Sequence, residues 1–160
     1  MSKLDRTDVE LIRLLQKNVR LSNKELAHEV GIAASTCHER LKRLWSSGLV
    51  RGTHLDLDSH ALGYPLQALF MLELAKHERH IIDELFESIS QITEVRSAYL
   101  ITGRYDLIVH IVARDVQHLK DLAFDHFTGH SAVTRIETSI VYDSRQQNNL
   151  FNSYVSDESI

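Results

Sequence analysis

The chain has a single cysteine, Cys37, no long apolar run and no excess of positive charge. One cysteine excludes an intramolecular disulfide and a thiolate metal cluster, and it agrees with a reducing compartment. Apolar stretches such as Leu66 to Leu72 and Leu107 to Ala113 are too short to cross a bilayer, and the opening MSKLDRTD has no apolar signal-peptide core. We therefore expect a cytoplasmic protein without membrane contact. With 160 residues, 43% hydrophobic and 25% charged, the composition is that of a soluble globular chain with room for one ordinary domain or two small ones. The net charge of −4 is unevenly placed. Residues 1–60 hold 10 Lys and Arg against 8 Asp and Glu, while residues 61–160 hold 8 against 14. Two modules with different partners explain that asymmetry.

The basic half has a readable pattern. Asp5 precedes a stretch whose Leu11, Ile12, Leu15 and Val19 share one helical face, with Asp8 in the first turn, so a first helix is expected over about Asp5 to Lys17. Ser22 with Glu25 forms an S-x-x-E capping box; Leu26, Ala27 and Val30 supply an apolar stripe, and Gly31 ends it. After only Ile32 and Ala33, a third pattern turns Cys37, Leu41 and Leu44 inward. Ser35, Thr36, Glu39, Lys42 and Arg43 then face outward, with His38 and Arg40 on the flanks. Two helices joined by a tight turn, the second polar and basic outside, form a helix-turn-helix over residues 1–50. Its second helix fits the major groove of double-stranded DNA. There Ser35, Thr36 and Glu39 would meet base edges, and Arg40, Lys42, Arg43 and Arg51 would neutralise phosphates. Residues 51–64 read as an extended wing or hinge strand, from which Arg51 and His54 would approach the DNA backbone.

From Pro65 the order is strand, helix, strand, strand, helix, strand, over residues 65–145. Strands are expected at Leu66 to Ala75, Val95 to Thr102, Leu107 to Arg114 and Val133 to Asp143, with helices from about Glu78 and Val116. This is the βαββαβ ferredoxin-like pattern, so the fold class is α+β. Both helices cover one sheet face. The other, expected to carry Phe70 and Ile111, requires a partner, and a homodimer packed sheet to sheet supplies one. On the last strand Ile136, Thr138, Ile140 and Tyr142 share a face. The tail, residues 146–160, is polar with a few aromatics.

No nucleophile and base stand at a plausible spacing, and there is no Gly-rich phosphate loop, so an enzyme such as a small dimeric α+β barrel is set aside. Ten histidines raise the alternative of a metal-responsive regulator. His77 with His80, and His126 with His130, have ligand spacing, but neither pair has a third ligand nearby in sequence. No metal and no cofactor are therefore expected.

The stretches LDRTDVELIRLLQKNVRLSNKELAHEVGI, CHERLKRLWSSGLVRG, ITGRYDLIV and TRIETSIV resemble the Lrp/AsnC (feast/famine) transcriptional regulators, over nearly the whole chain up to about residue 150. The resemblance implies a cytoplasmic, nucleoid-associated regulator whose ACT-like C-terminal (RAM) domain senses an amino acid or a related metabolite. It also implies dimers that assemble further, commonly to octamers, with the effector held between dimers. By matching motif, the effector residues are Gly103, Arg104, Tyr105 and Asp106 in the turn, and Thr138 and Ser139 in the last strand. Asp106 would meet an effector ammonium, and backbone N–H groups near Gly103 its carboxylate. The chain departs from the family in two places. Ala33 and Ala34 replace the usual Ser-Pro at the start of the recognition helix, removing a cap at a cost of about 1 kcal/mol and leaving Ser35 as the alternative cap. Arg104 stands where an acidic residue is usual, which would favour an acidic or larger effector.

Overall fold

The computed structural model describes residues 4–75 and 79–145. The expected tail, His77 and a helix start at Glu78 lie outside that range. The chain divides into two compact units, one reaching Leu55 and the other spanning residues 56–144.

In the first unit α1 (Arg6–Lys17), α2 (Asn23–Val30) and α3 (Ala34–Ser46) enclose one core of Leu11, Ile12, Leu26, Ala27, Cys37, Leu41 and Leu44. Each of the first two helices is started by a reciprocal capping box, Asp5 with Asp8 and Ser22 with Glu25. Both boxes satisfy backbone N–H groups that a helix start otherwise leaves without partners. Gly31 stops α2 at φ +69°, a conformation that a β-carbon disfavours. The Ile32 N–H then bonds the Ala27 carbonyl and the Gly31 N–H that of His28, so the chain reverses within two residues. Val19 does not join the α1 stripe: the helix ends at Lys17, the Asn18 backbone is extended, and Val19 lies half exposed beyond it. The anticipated wing strand is also absent among the described residues. Residues 51–58 have no ladder partner and are exposed throughout.

The second unit is a four-stranded antiparallel sheet of order β2-β3-β1-β4, from β1 (Leu66–Leu74), β2 (Val95–Leu100), β3 (Leu107–Ala113) and β4 (Val133–Ile140). Helices α4 (Arg79–Ser90) and α5 (Val116–Ala123) complete the βαββαβ order, and α5 continues into a π-helical turn at Phe124–Thr128. Its core contains Ala68, Phe70, Leu72, Leu85, Ile89, Leu107, Val109, Ile111 and Phe127. Phe70 and Ile111 therefore lie on the helix-covered face, not on the open face where the sequence reading put them. Phe70 meets Phe127 edge to face at 5.3 Å. The residue ladder fixes the opposite face. Leu69 pairs with His110 and Ser139, and Met71 with Ile108 and Glu137, with Tyr99 next in that row.

Because Phe127 is fully buried against Phe70, Phe127→Ala should cost the second unit about 3–5 kcal/mol. The mostly exposed Val116→Ala should stay within about 0.5 kcal/mol. Chemical denaturation followed by far-ultraviolet circular dichroism checks the pair.

Candidate nucleic-acid interface and effector site

α3 is held against α1 by charge. Asp8 is fully buried and is the one buried polar side chain of the described residues. Its two carboxylate oxygens accept from Arg40 Nη1 at 2.8 Å and Arg43 Nη2 at 2.5 Å, and Arg40 Nη1 also reaches Asp5 Oδ2 at 2.6 Å. A buried carboxylate without such partners would be strongly destabilising. Two of the cations assigned to phosphates from sequence are thus bound to α1. Arg40 is mostly covered, whereas Arg43 keeps about half of its side chain in solvent and still adds positive potential to the surface.

Helical spacing places Ser35, Glu39, Lys42 and Ser46 along the line opposite the buried Cys37, Leu41 and Leu44, and all four are exposed. Thr36 and Arg43 border this stripe on the α1 side. His38 borders it on the α2 side, with its Nδ1 3.1 Å from Asn23 Nδ2. Lys42 and Arg51 are exposed and make no ion pair among the described residues. The helix begins at Ala34 with Ala33 at the N-cap and no side-chain cap bond, so Ser35 does not take over the cap. Its hydroxyl is left on the outward stripe. Ser46 and Asn23 were missed from sequence; Ser46 continues the spacing 35, 39, 42, and Asn23 had no signal.

In the second unit the β2–β3 turn and the last strand do come together, Arg104 and Tyr105 from the sequence-assigned turn meeting Glu137, which sequence reasoning passed over. Tyr105 donates from its hydroxyl to Glu137 Oε2 at 2.7 Å, which raises the phenol pKa, and Arg104 lies 3.9 Å from the same carboxylate. Arg135 bridges Glu137 and Glu73, each at 3.7 Å, and the Arg104 guanidinium stacks 5.2 Å from the Tyr105 ring centre. Two arginines therefore face two glutamates, and the positive charge of Arg104 is offset locally. Glu137 was detectable as the inward-outward alternate of Ile136 in TRIETSIV.

Asp106 is already engaged. Its Oδ2 accepts the Leu74 N–H at 2.7 Å, its N–H donates to the Leu72 carbonyl, and its carbonyl accepts from Ile101. Through Oδ2 it ties the turn to β1 where the ladder register shifts. Gly103 has φ +142° within this turn, which only glycine adopts without strain. Thr138 pairs with Phe70 and so lies on the helix side, whereas Ser139 pairs with Leu69 on the open side. The two sites assigned to β4 point to opposite faces. Among the described residues no group of three His, Cys, Asp or Glu is placed to hold a metal, and the His130 Nδ1 accepts the Ala132 N–H.

Comparison with known proteins matches residues 67–150 to the Lrp/AsnC ligand binding domain and residues 4–51 to a winged helix-turn-helix DNA-binding domain. The HTH-type transcriptional regulator AldR of Mycobacterium tuberculosis is 34% identical over 142 residues, covering 89% of this chain and 79% of that one. A leucine-responsive regulatory protein of Rhizobium meliloti is 31% identical over 142 residues, covering 86% and 88%. A transcriptional regulator of Neisseria meningitidis, solved as its L-methionine complex, matches with a TM-score of 0.84 at 28% identity, over 91% of this chain and 94% of that one.

Asp8→Asn should destabilise the first unit by about 2–3 kcal/mol, below the figure for a fully enclosed pair because Arg43 can turn to water. Trp45, the single tryptophan, reports that unit's unfolding. Acid should act in the same direction. The Asp8 N–H, and then Arg40, hold the Asp5 carboxyl below its ordinary 3.8, and the Ser22 N–H does the same for Glu25. Their stabilising effect is complete above the unfolded carboxylate range and is lost as pH falls through the lower folded values. A Trp45 melting series from neutral to acid pH should therefore fall steeply only below about pH 4.

Proposed function

Since the chain belongs to the Lrp/AsnC family of DNA-binding transcriptional regulators, we propose that it is a cytoplasmic, amino-acid-responsive member that binds double-stranded DNA as a homodimer or a higher assembly. The observation that carries the reading is the outward stripe Ser35, Glu39, Lys42 and Ser46 on a helix fixed by the Asp8 ion pairs. Such a helix enters the major groove as a rigid body. Ser35, Thr36 and Glu39 reach base edges, and Lys42, Arg43 and Arg51 supply phosphate contacts, with Arg40 left to hold the helix in place.

The open sheet face, with Leu69, Met71, Ile108 and Tyr99, supports a dimer packed through that face. Two recognition helices then read a pseudo-palindromic site. Larger assemblies, octamers among them, extend the same scheme and place effectors between dimers.

The effector belongs near the β2–β3 turn of Gly103, where Arg104 and Tyr105 approach Glu137, itself paired with Arg135. The complex of the Neisseria meningitidis regulator with L-methionine supports an amino acid as its class. With Arg104 offset by Glu137, a zwitterionic amino acid fits this charge balance better than an acidic one. An amino acid could exchange its ammonium for the Tyr105 hydroxyl at Glu137 and its carboxylate for Glu137 at an arginine. Binding there would shift the population of assemblies with different DNA-binding spacing.

Fluorescence anisotropy on DNA from upstream of the protein's own gene, with a salt titration and the twenty amino acids, tests both halves. Lys42→Glu and Arg51→Glu should weaken binding to every sequence and lower the salt slope by about one per lost phosphate contact. Ser35→Ala and Glu39→Ala should change sequence preference. Equal losses on all DNA from both sets contradict the division of roles, and indifference to every amino acid contradicts the effector class.

A further inference from the structure

His38 lies on the α2 flank of α3, between the outward stripe and the buried row, and both it and Asn23 are exposed. Their 3.1 Å contact joins a side-chain amide nitrogen to a ring nitrogen. An amide NH2 has hydrogens to give and no lone pair to offer. The bond therefore requires the lone pair on His38 Nδ1, and a neutral imidazole then carries its hydrogen on Nε2. That hydrogen is the one directed away from Asn23. DNA phosphate oxygens accept and never donate, so the free N–H has the correct sense for them.

Position decides between phosphate and base. Base edges are within reach of the stripe Ser35, Glu39, Lys42 and Ser46, which His38 borders without joining. In a helix-turn-helix the helix ahead of the recognition helix crosses the sugar-phosphate backbone, so the α2 side of α3 is the backbone side. Resting on the reading of α3 as the recognition helix, we propose that Asn23 and His38 form a phosphate-reading pair. His38 Nε2–H donates to a backbone phosphate oxygen, and Asn23 is the positioning residue that fixes the ring and its tautomer.

The full-length protein tests this with a double-mutant cycle of Asn23→Ala and His38→Ala on upstream and unrelated DNA, with Trp45 melting of each variant. His38→Ala should weaken binding about 3- to 10-fold on both DNAs at unchanged melting temperature. Asn23→Ala should cost less, the double variant no more than His38→Ala, and His38→Gln, which retains an N–H donor, should recover part of the loss. A spectroscopic signature separates positioning from mere packing. In Asn23→Asp, a carboxylate that only accepts should move the ring hydrogen to Nδ1 in long-range 1H–15N spectra of the free protein, recorded well above the ordinary histidine pKa, and DNA affinity should fall below that of Asn23→Ala. Additive losses, an unmoved tautomer in Asn23→Asp, or affinity that merely follows melting temperature would overturn the pair. A loss confined to the upstream sequence would make His38 a base reader and overturn the phosphate assignment. Unaffected variants beside a DNA-binding wild type overturn the pair alone, whereas a wild type that binds no DNA overturns the recognition-helix reading and the pair with it.

Discussion

What α3 presents to solvent depends on the Asp8 carboxylate. Its two oxygens are taken by Arg40 and Arg43, three residues apart on α3, so a single buried anion fixes both the depth and the rotation of that helix. The apolar row of Cys37, Leu41 and Leu44 could alone tolerate a small roll, because hydrophobic contact is not directional. Charge-assisted bonds to two arginines of different angular position are directional. Asp8 also closes the capping box of α1, so the start of the first helix and the placement of the third are one arrangement.

The second unit depends on alternation. Phe70, Val109 and Ile111 go under the helices into one core with Phe127, which leaves Leu69, Met71 and Ile108 on the other face together with His110, Gln67 and Glu137. Burial, and then the Arg96 charge, lower the His110 pKa, and the ring nitrogen Nε2 lies 3.2 Å from Gln67 Oε1. The same alternation gives β4 its two roles. Ile136 seals the core, and Glu137, one residue on, faces Tyr105 and Arg104 from the neighbouring turn.

Local chemistry was legible and distant pairing was not. Ser22 with Glu25, and Gly31 after Val30, sit within one turn of the groups they serve, and the first two helices with their tight turn follow directly. The βαββαβ order was equally plain, since four apolar runs alternate with two helical stripes. Strand phase failed at Phe70 because β1 is apolar at consecutive positions, so its period does not say which half faces inward. The ion pairs of Arg40 and Arg43 with Asp8 went unseen in the sequence because their anion lies more than 30 residues upstream. The tie from Asp106 to the backbone N–H of Leu74, 32 residues away, was hidden in the same way. Those residues have chemistry that sequence displays and partners that only the fold reveals.

Amide hydrogen exchange of the full chain, measured free, with upstream DNA, and with DNA plus an amino acid that alters binding, addresses both units at once. DNA should protect the first turns of α3 and α2 while leaving the β2–β3 turn unchanged, and the amino acid should then slow exchange over residues 101–106 and the facing part of β4. Protection by DNA confined to the sheet, with residues 34–46 exchanging as in the free protein, would contradict α3 as the recognition helix.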